Sequence, residues 1–139
     1  MITSRRLEDL KSPVYARVAE FLSACRRENI DILVTSTYRD KESQNALYAQ
    51  GRTTPGKIVT NAKGGESYHQ YGCAIDVVPV IGGKPEWDVN DPVWQRIGQL
   101  GKEAGLEWAG DWEHMKEYPH FQYTGGLTLK QLQDGVQIA

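Results

Sequence analysis

The chain is 139 residues long, with 40% hydrophobic residues, 24% charged residues and a formal net charge of -2. This length and composition are typical of one globular domain, so we expect a single domain over residues 1–139. The weak negative charge and the lack of a Lys/Arg run argue against a nucleic-acid binder. No apolar stretch approaches the roughly 20 residues that a membrane span requires.

The N-terminal sequence and the cysteine content indicate a protein made without a leader in a reducing compartment. The segment MITSRRLEDLKSP has no apolar core after its arginines, which argues against a secretory signal. Cys25 and Cys73 are too few for a disulfide framework, and we expect both to be reduced thiols. A bridge between them is the less favoured alternative.

The first third of the chain predicts a helix, a strand and a second helix. Ser12 is expected to be the N-cap of the first helix and Pro13 its first residue. A strand is predicted over 31–37 (DILVTST), which is rich in β-branched residues. Asp40 is expected to cap a second helix that runs to about residue 50. The residues expected to face the core are Val14, Val18, Phe21, Leu22 and Cys25 in the first helix and Ala46 and Leu47 in the second.

The middle of the chain predicts a long loop followed by the strongest strand signal. Residues 52–66 are polar and glycine-rich, and a loop of this length in a compact domain tends to be functional. We therefore expect it to border a cleft and to be mobile. A strand is predicted over 73–80 (CAIDVVPV), with a tight turn at 81–84.

The last third predicts one long helix, two short strands and a final short helix. Asp91 and Pro92 are expected to begin the long helix. Its buried stripe is predicted to be Val93, Ile97, Leu100 and Ala104. Short strands are predicted over 106–109 and 120–123, and a capping box at 128–131. The predicted fold class is α+β, with helices packed on a small, mostly antiparallel sheet.

Two histidines and one aspartate predict a metal site. Asp76 interrupts a strand that is apolar on both faces, so its carboxylate needs an arginine, several hydrogen-bond donors or a metal. His69 precedes that strand, with Gly72 permitting a turn between them, and His120 begins a later strand, sharing a face with Gln122. Two imidazoles and one carboxylate suit zinc. Taken singly, each residue has a plainer alternative: a histidine in the core or on the surface, and an aspartate paired with arginine.

The complete pattern resembles the M15 zinc peptidases. Their Ser-x-His-x-x-Gly-x-Ala-x-Asp motif matches SYHQYGCAID at 67–76 without a gap, and their Asp/Glu-x-x-His element matches EYPH at 117–120. An upstream Tyr-Arg pair and a following Gln match YR at 38–39 and Gln44. The resemblance covers about residues 30–133 and implies a fold like that of Hedgehog and the D-Ala-D-Ala peptidases.

The resemblance implies a role for each central residue. His69, Asp76 and His120 would bind Zn²⁺, and Glu117 would be the base that takes a proton from the activated water and gives it to the leaving amine. Arg39 would stabilise the oxyanion. The alternatives for Arg39 are a grip on a substrate carboxylate and a structural role at the end of a strand.

Four further residues are predicted to contact substrate: Gln44, Ser67, Tyr71 and Trp112. For Gln44, a solvent-facing position on the second helix is the alternative. Ser67 is expected to orient a ligand or substrate group and not to act as a nucleophile. Tyr71 and Trp112 are expected to form the cleft wall. His114 lies outside the family motif, and we interpret it as a loop residue near the cleft.

The resemblance implies hydrolysis of peptidoglycan stem peptides. Small size, the lack of a leader and the ending GLTLKQL favour the L-alanyl-D-glutamate endopeptidases of phage endolysins over D-alanyl-D-alanine carboxypeptidases and dipeptidases, the second hypothesis. We expect a monomer that stays in the host cytoplasm before lysis and reaches the wall through a holin. A non-catalytic zinc module that binds the wall is the third hypothesis, and Glu117 and Arg39 argue against it.

Overall fold

Five strands form one antiparallel sheet in the computed structural model, which describes residues 1–139. The order is β1-β2-β5-β4, with β3 paired to the far end of β2, and every pairing is antiparallel. The strands are β1 (Asp31–Ser36), β2 (Ala74–Ile81), β3 (Lys84–Pro85), β4 (Glu107–Trp108) and β5 (His120–Gln122). The four helices are α1 (Ser12–Arg27), α2 (Lys41–Ala49), α3 (Pro92–Glu103) and α4 (Leu129–Gln133). The predicted α+β class is confirmed.

Strand β2 lies at the centre of the sheet and supplies much of the core. Ile75, Val77 and Val78 are fully buried, which explains the apolar character of the strand on both faces. The predicted tight turn joins β2 to β3 through Gly82 and Gly83, whose φ angles are +59° and +79°. A two-residue hairpin turn of this kind needs positive φ at both central positions, which glycine adopts without steric cost.

Helix α1 packs on the sheet through the predicted stripe, but it begins differently from the expectation. Val14, Val18, Phe21 and Cys25 are buried, and Leu22 is partly buried. The N-cap is Lys11, not Ser12, and no side chain caps the helix. The backbone N–H of Lys11 donates to the carbonyl of Gly72, so the entry to the helix is fixed by this backbone contact.

Helix α2 departs from the sequence prediction in the face that it buries. Asp40 caps the helix as predicted, with its carboxylate accepting from the backbone N–H of Ser43 at 2.8 Å. Ala46 is exposed and Leu47 only partly buried, whereas Ser43 and Gln44 are buried. A buried polar face is stable only where its groups find partners, and the partners of Gln44 come from segments on either side of the helix.

Helix α3 approaches β4 and β5 closely because its inner face carries two glycines. A Cβ atom at Gly98 would lie 2.4 Å from the Trp108 ring, and one at Gly101 would lie 2.4 Å from the Phe121 ring. The buried face therefore includes Trp94 and the glycines along with Ile97 and Leu100. The predicted members Val93 and Ala104 are only partly buried. This contact fixes β5 next to its first residue, His120.

The smaller sequence predictions are confirmed in part. Asp91 caps α3, and the Thr128–Gln131 capping box opens α4. Cys25 and Cys73 are buried free cysteines, and burial raises the pKa of each to about 11, so both are neutral, unreactive thiols at physiological pH. None of the helices is both long and apolar enough to span a membrane.

Candidate active site

The register of the sheet brings Asp76 and His120 together. The two residues are direct partners in the antiparallel β2–β5 ladder, so their side chains project from the same face. His120 Nδ1 lies 3.2 Å from Asp76 Oδ1. On the other side of β2, the pairing shifts between Val34 and Ser36, and Ser36 comes opposite Asp76. Such irregularities are common beside active sites, where they redirect a side chain.

His69 reaches the same place from a short 3₁₀ helix, Tyr68–Tyr71. Ser67 and Gln70 form a capping box at its start, and Gly72 ends it in the left-handed conformation with φ +68°. The Gln70 side chain joins two backbone segments. Its Oε1 accepts from the backbone N–H groups of Gly65 and Ser67, and its Nε2 donates to the carbonyl of Arg39. These bonds fix the helix that carries His69.

Three potential ligand atoms converge in this pocket. One ligand atom each from His69, Asp76 and His120 all lie within 4.8 Å of one another. His69 Nε2 is 3.3 Å from Asp76 Oδ2, and this buried nitrogen has no hydrogen-bond partner. A buried nitrogen without a partner is costly unless something else binds it. The donor set and this orphan nitrogen fit a metal ion.

Hydrogen bonds behind the histidines fix which nitrogen carries the proton. His69 Nδ1 lies 2.6 Å from the carbonyl oxygen of Thr37, which can only accept, so Nδ1 donates and the Nε2 lone pair faces Asp76. His120 Nε2 lies 2.8 Å from Gln122 Oε1, and the amide nitrogen of Gln122 faces the Glu107 carboxylate. His120 Nδ1 therefore faces the cluster and is the nitrogen that a metal could bind.

The charges in the cluster are strongly coupled. Burial acts to raise the pKa of Asp76, but the adjacent imidazoles of His69 and His120 outweigh it and hold that pKa well below its usual range. Burial acts to lower the pKa of His120, but the hydrogen bond to Asp76 and its charge outweigh burial and raise it. Both shifts favour an ion pair between Asp76 and a protonated His120, so a cation that binds this imidazole competes with a proton.

Glu117 lies at the edge of the cluster. Its carboxylate is 3.9 Å from His120 Nδ1, and its side chain is 44% exposed. The backbone carbonyl of Glu117 accepts from the N–H of His120, which closes a turn through Tyr118 and Pro119. Partial burial raises the pKa of Glu117, with Asp76 adding to this effect against His120. A carboxylate of raised pKa next to a metal site suits proton transfer.

Arg39 follows β1 in the chain, and its side chain reaches the cluster. Its guanidinium donates to Gln44 Oε1 at 2.9 Å, to Ser36 Oγ at 3.2 Å and to Asp76 Oδ2 at 3.4 Å. Its Nε is buried without a partner. Gln44 is thus a buried support for Arg39, and the solvent-facing alternative for this glutamine is wrong.

A cavity of about 690 Å³ opens over the cluster. All the predicted catalytic and metal residues line it, as do Gln44, Ser67 and Trp112. The prediction for Tyr71 is wrong: its hydroxyl donates to the carbonyl of Gly65 at 2.6 Å, and it lines a separate cavity of about 410 Å³ near the chain ends. Tyr68 lines the main cavity instead. The long loop borders the cavity as predicted, through Val59–Ala62 and Glu66.

The structure also places the residues that the sequence left open or did not reveal. His114 is exposed and belongs neither to the cluster nor to the cavity wall. Thr37 and Gln70 were not predicted to contribute. The Ser-x-x-Gln spacing of a capping box was a usable signal for Gln70, whereas no local pattern marks the Thr37 carbonyl.

Comparisons with known proteins bear on the family of the chain. The D-alanyl-D-alanine carboxypeptidase model of the M15 peptidases matches residues 60–123. The peptidoglycan L-alanyl-D-glutamate endopeptidase CwlK of Bacillus subtilis is 39% identical over 119 residues, which cover 79% of this chain and 71% of that protein. This chain belongs to the M15 peptidase family.

Two further proteins extend the comparison. The L-alanyl-D-glutamate peptidase of Listeria phage A118 is 28% identical over 109 residues, which cover 78% of this chain and 36% of that protein. The L-Ala D-Glu endopeptidase ChiX of Serratia marcescens has the same fold, with a TM-score of 0.65 at 21% identity over 95% of this chain and 92% of that one.

Replacing Gln70 with alanine should destabilise the protein by about 1–3 kcal/mol, because buried N–H groups of the loop and the carbonyl of Arg39 lose their partner. Gln131→Ala removes the same capping-box side chain from the exposed start of α4, and it should cost well under about 1 kcal/mol. Urea unfolding followed by tryptophan fluorescence measures both. Equal losses of unfolding free energy in the two variants would contradict this supporting role of Gln70.

Proposed function

We propose that this M15 peptidase is a zinc-dependent peptidoglycan hydrolase that cleaves the L-alanyl-D-glutamate bond of stem peptides. The observation that carries the proposal is the convergence of two imidazoles and a carboxylate, with Glu117 and Arg39 beside them, in one open cavity. The substrate class and the bond come from the names of the relatives, above all the B. subtilis endopeptidase.

The ligand set supports zinc as the metal. His69 Nε2, His120 Nδ1 and a carboxylate oxygen of Asp76 would hold it, because these atoms face one another and the far nitrogen of each imidazole is already bonded elsewhere. Nitrogen and oxygen donors of this kind suit zinc, and three protein ligands are typical of catalytic rather than structural zinc sites. When bound, zinc would lower the pKa of a water molecule and polarise the substrate carbonyl.

The surrounding residues supply the rest of the reaction. Glu117, whose pKa is raised by burial, would accept the proton of the attacking water and pass it to the leaving amine. The Arg39 guanidinium, held by Gln44 and Ser36, would stabilise negative charge on the scissile carbonyl oxygen. Ser67 caps the helix of His69, so its role is to orient a ligand.

Two other hypotheses remain, one for a different peptidase activity and one for a non-catalytic module. A D-alanyl-D-alanine carboxypeptidase remains the second candidate, because the matching family model carries that description. A non-catalytic wall-binding module is disfavoured, because Glu117 and Arg39 line the cavity without being needed for a structural zinc. The phage relative supports the further proposal of an endolysin that is held in the host cytoplasm and released to the wall through a holin.

Product analysis tests the bond and the base together. Purified stem peptide treated with the protein should yield new N-terminal D-glutamate by mass spectrometry. Glu117→Gln should lower turnover by about 10²- to 10⁴-fold while zinc remains bound. The matched control is Glu113→Gln, which changes an exposed glutamate in the same loop and should retain activity. Loss of a single terminal alanine would support the carboxypeptidase instead, and full activity of Glu117→Gln would refute the base.

Zinc titration tests the ligand set independently of activity. One zinc ion should bind per chain, and His69→Ala should weaken binding by more than about 100-fold, whereas His114→Ala should bind like the parent. Affinity should fall as the pH is lowered through the raised pKa of His120, because zinc must displace the proton from that imidazole. Calorimetry at two pH values measures this. Equal loss of zinc from both histidine variants would contradict the assignment.

A further inference from the structure

The loop that borders the cavity has almost no backbone support. We call residues 57–62 the rim loop; four of them, Val59–Ala62, line the cavity. No backbone–backbone hydrogen bond involves residues 55–62, and no helix or strand includes them. A segment of this kind keeps one position only if side chains from elsewhere hold it.

Three side chains from α2 and its C-terminal end bind the carbonyls of the rim loop. Gln44 donates to the carbonyl of Ala62 at 2.8 Å, and Gln50 donates to that of Lys57 at 3.0 Å. Arg52 makes the third set of contacts, to Thr60 and Asn61. The rim loop is thus attached to α2 at its start, middle and end.

Arg52 makes more of these contacts than either glutamine. Its Nη1 donates to the carbonyl of Thr60 at 3.0 Å and to that of Tyr48 at 2.7 Å, and its Nη2 donates to Asn61 Oδ1 at 2.9 Å. The guanidinium carbon lies 3.9 Å from the centre of the Tyr48 ring, and this stacking restrains the orientation of the guanidinium group. A planar, multiply donating group is suited to fixing two points of a loop at once.

The rim loop contacts both walls of the cavity. Thr60 Oγ1 lies 3.4 Å from Gln44 Nε2, and the other end of that amide accepts from Arg39 at 2.9 Å. On the opposite wall, Asn61 Nδ2 lies 3.2 Å from the sulfur of Met115, two residues before Glu117. The position of the rim loop therefore affects both the support of Arg39 and the width of the cavity.

We propose that Arg52 is a positioning residue that fixes the rim loop over the cavity, and through Thr60 and Gln44 supports Arg39. Arg52 itself does not line the cavity. Its part in catalysis rests on the proposed function, but its part in holding the loop does not. Loss of Arg52 should leave the core intact, because its side chain is exposed and belongs to no buried cluster.

Kinetics and proteolysis of Arg52→Ala test the two parts separately. On stem peptide, kcat/KM should fall by about 10- to 100-fold with a raised KM, since a misplaced loop weakens substrate binding and orientation. Arg52→Lys should recover part of the loss, because a single ammonium can replace one contact but not the fork. Trypsin should cut after Lys57 several times faster than in the parent chain.

Arg17→Ala is the matched control. Arg17 also donates to a carbonyl, that of Pro13, and stacks on a tyrosine, Tyr123, away from the cavity. This variant should retain both the parent KM and the parent rate of cutting after Lys57. An unchanged kcat/KM in Arg52→Ala, or an equal fall in Arg17→Ala, would overturn the proposal.

Unchanged cutting after Lys57 in Arg52→Ala would also overturn it, whatever the activity. If the parent chain cleaves no stem peptide, the proposed function fails. The proteolysis result then still decides whether Arg52 holds the loop.

Discussion

The site depends on the hydrogen bonds that hold two imidazoles through the ring nitrogen facing away from Asp76. The carbonyl of Thr37 and the amide of Gln122 each accept one ring N–H, so the other nitrogen of each histidine faces Asp76 and can bind a metal once it carries no proton. Neither partner is charged, and both lie on or beside the sheet. The fold therefore prepares three ligand atoms before any metal binds, which lowers the cost of ordering them at binding.

The rest of the molecule can be understood as support for that arrangement. The β2–β5 register sets Asp76 opposite His120, and the glycine face of α3 lets the helix press against β5. Gln70 holds the short helix of His69 to the Arg39 backbone, so the third ligand and the arginine move as one unit. Polar side chains from α2 and the residues that follow it bond to the rim loop at the mouth of the cavity.

The sequence predicted the parts of the site that depend on short-range patterns. Alternation along a strand gives the direction of Asp76, and the Asp91 and Thr128 caps follow from local chemistry. It failed where the deciding partner is distant in the chain. The inward face of α2 was assigned to Ala46 and Leu47, because hydrophobicity cannot reveal that Gln44 meets Arg39 and a carbonyl 18 residues away. Tyr71 was misplaced although its partner is near in sequence, because no pattern shows that its hydroxyl bonds to the carbonyl of Gly65.

In the proposed site, one cation is bound by His69 Nε2, a carboxylate oxygen of Asp76 and His120 Nδ1. Zinc-edge anomalous diffraction from crystals of the zinc-loaded protein tests it most directly. One strong peak is expected at about 2.0–2.2 Å from each of those three atoms, with the Gln122 amide still bonded to the far nitrogen of His120. A peak bound instead by His114, by Cys73 or through His120 Nε2 would contradict it.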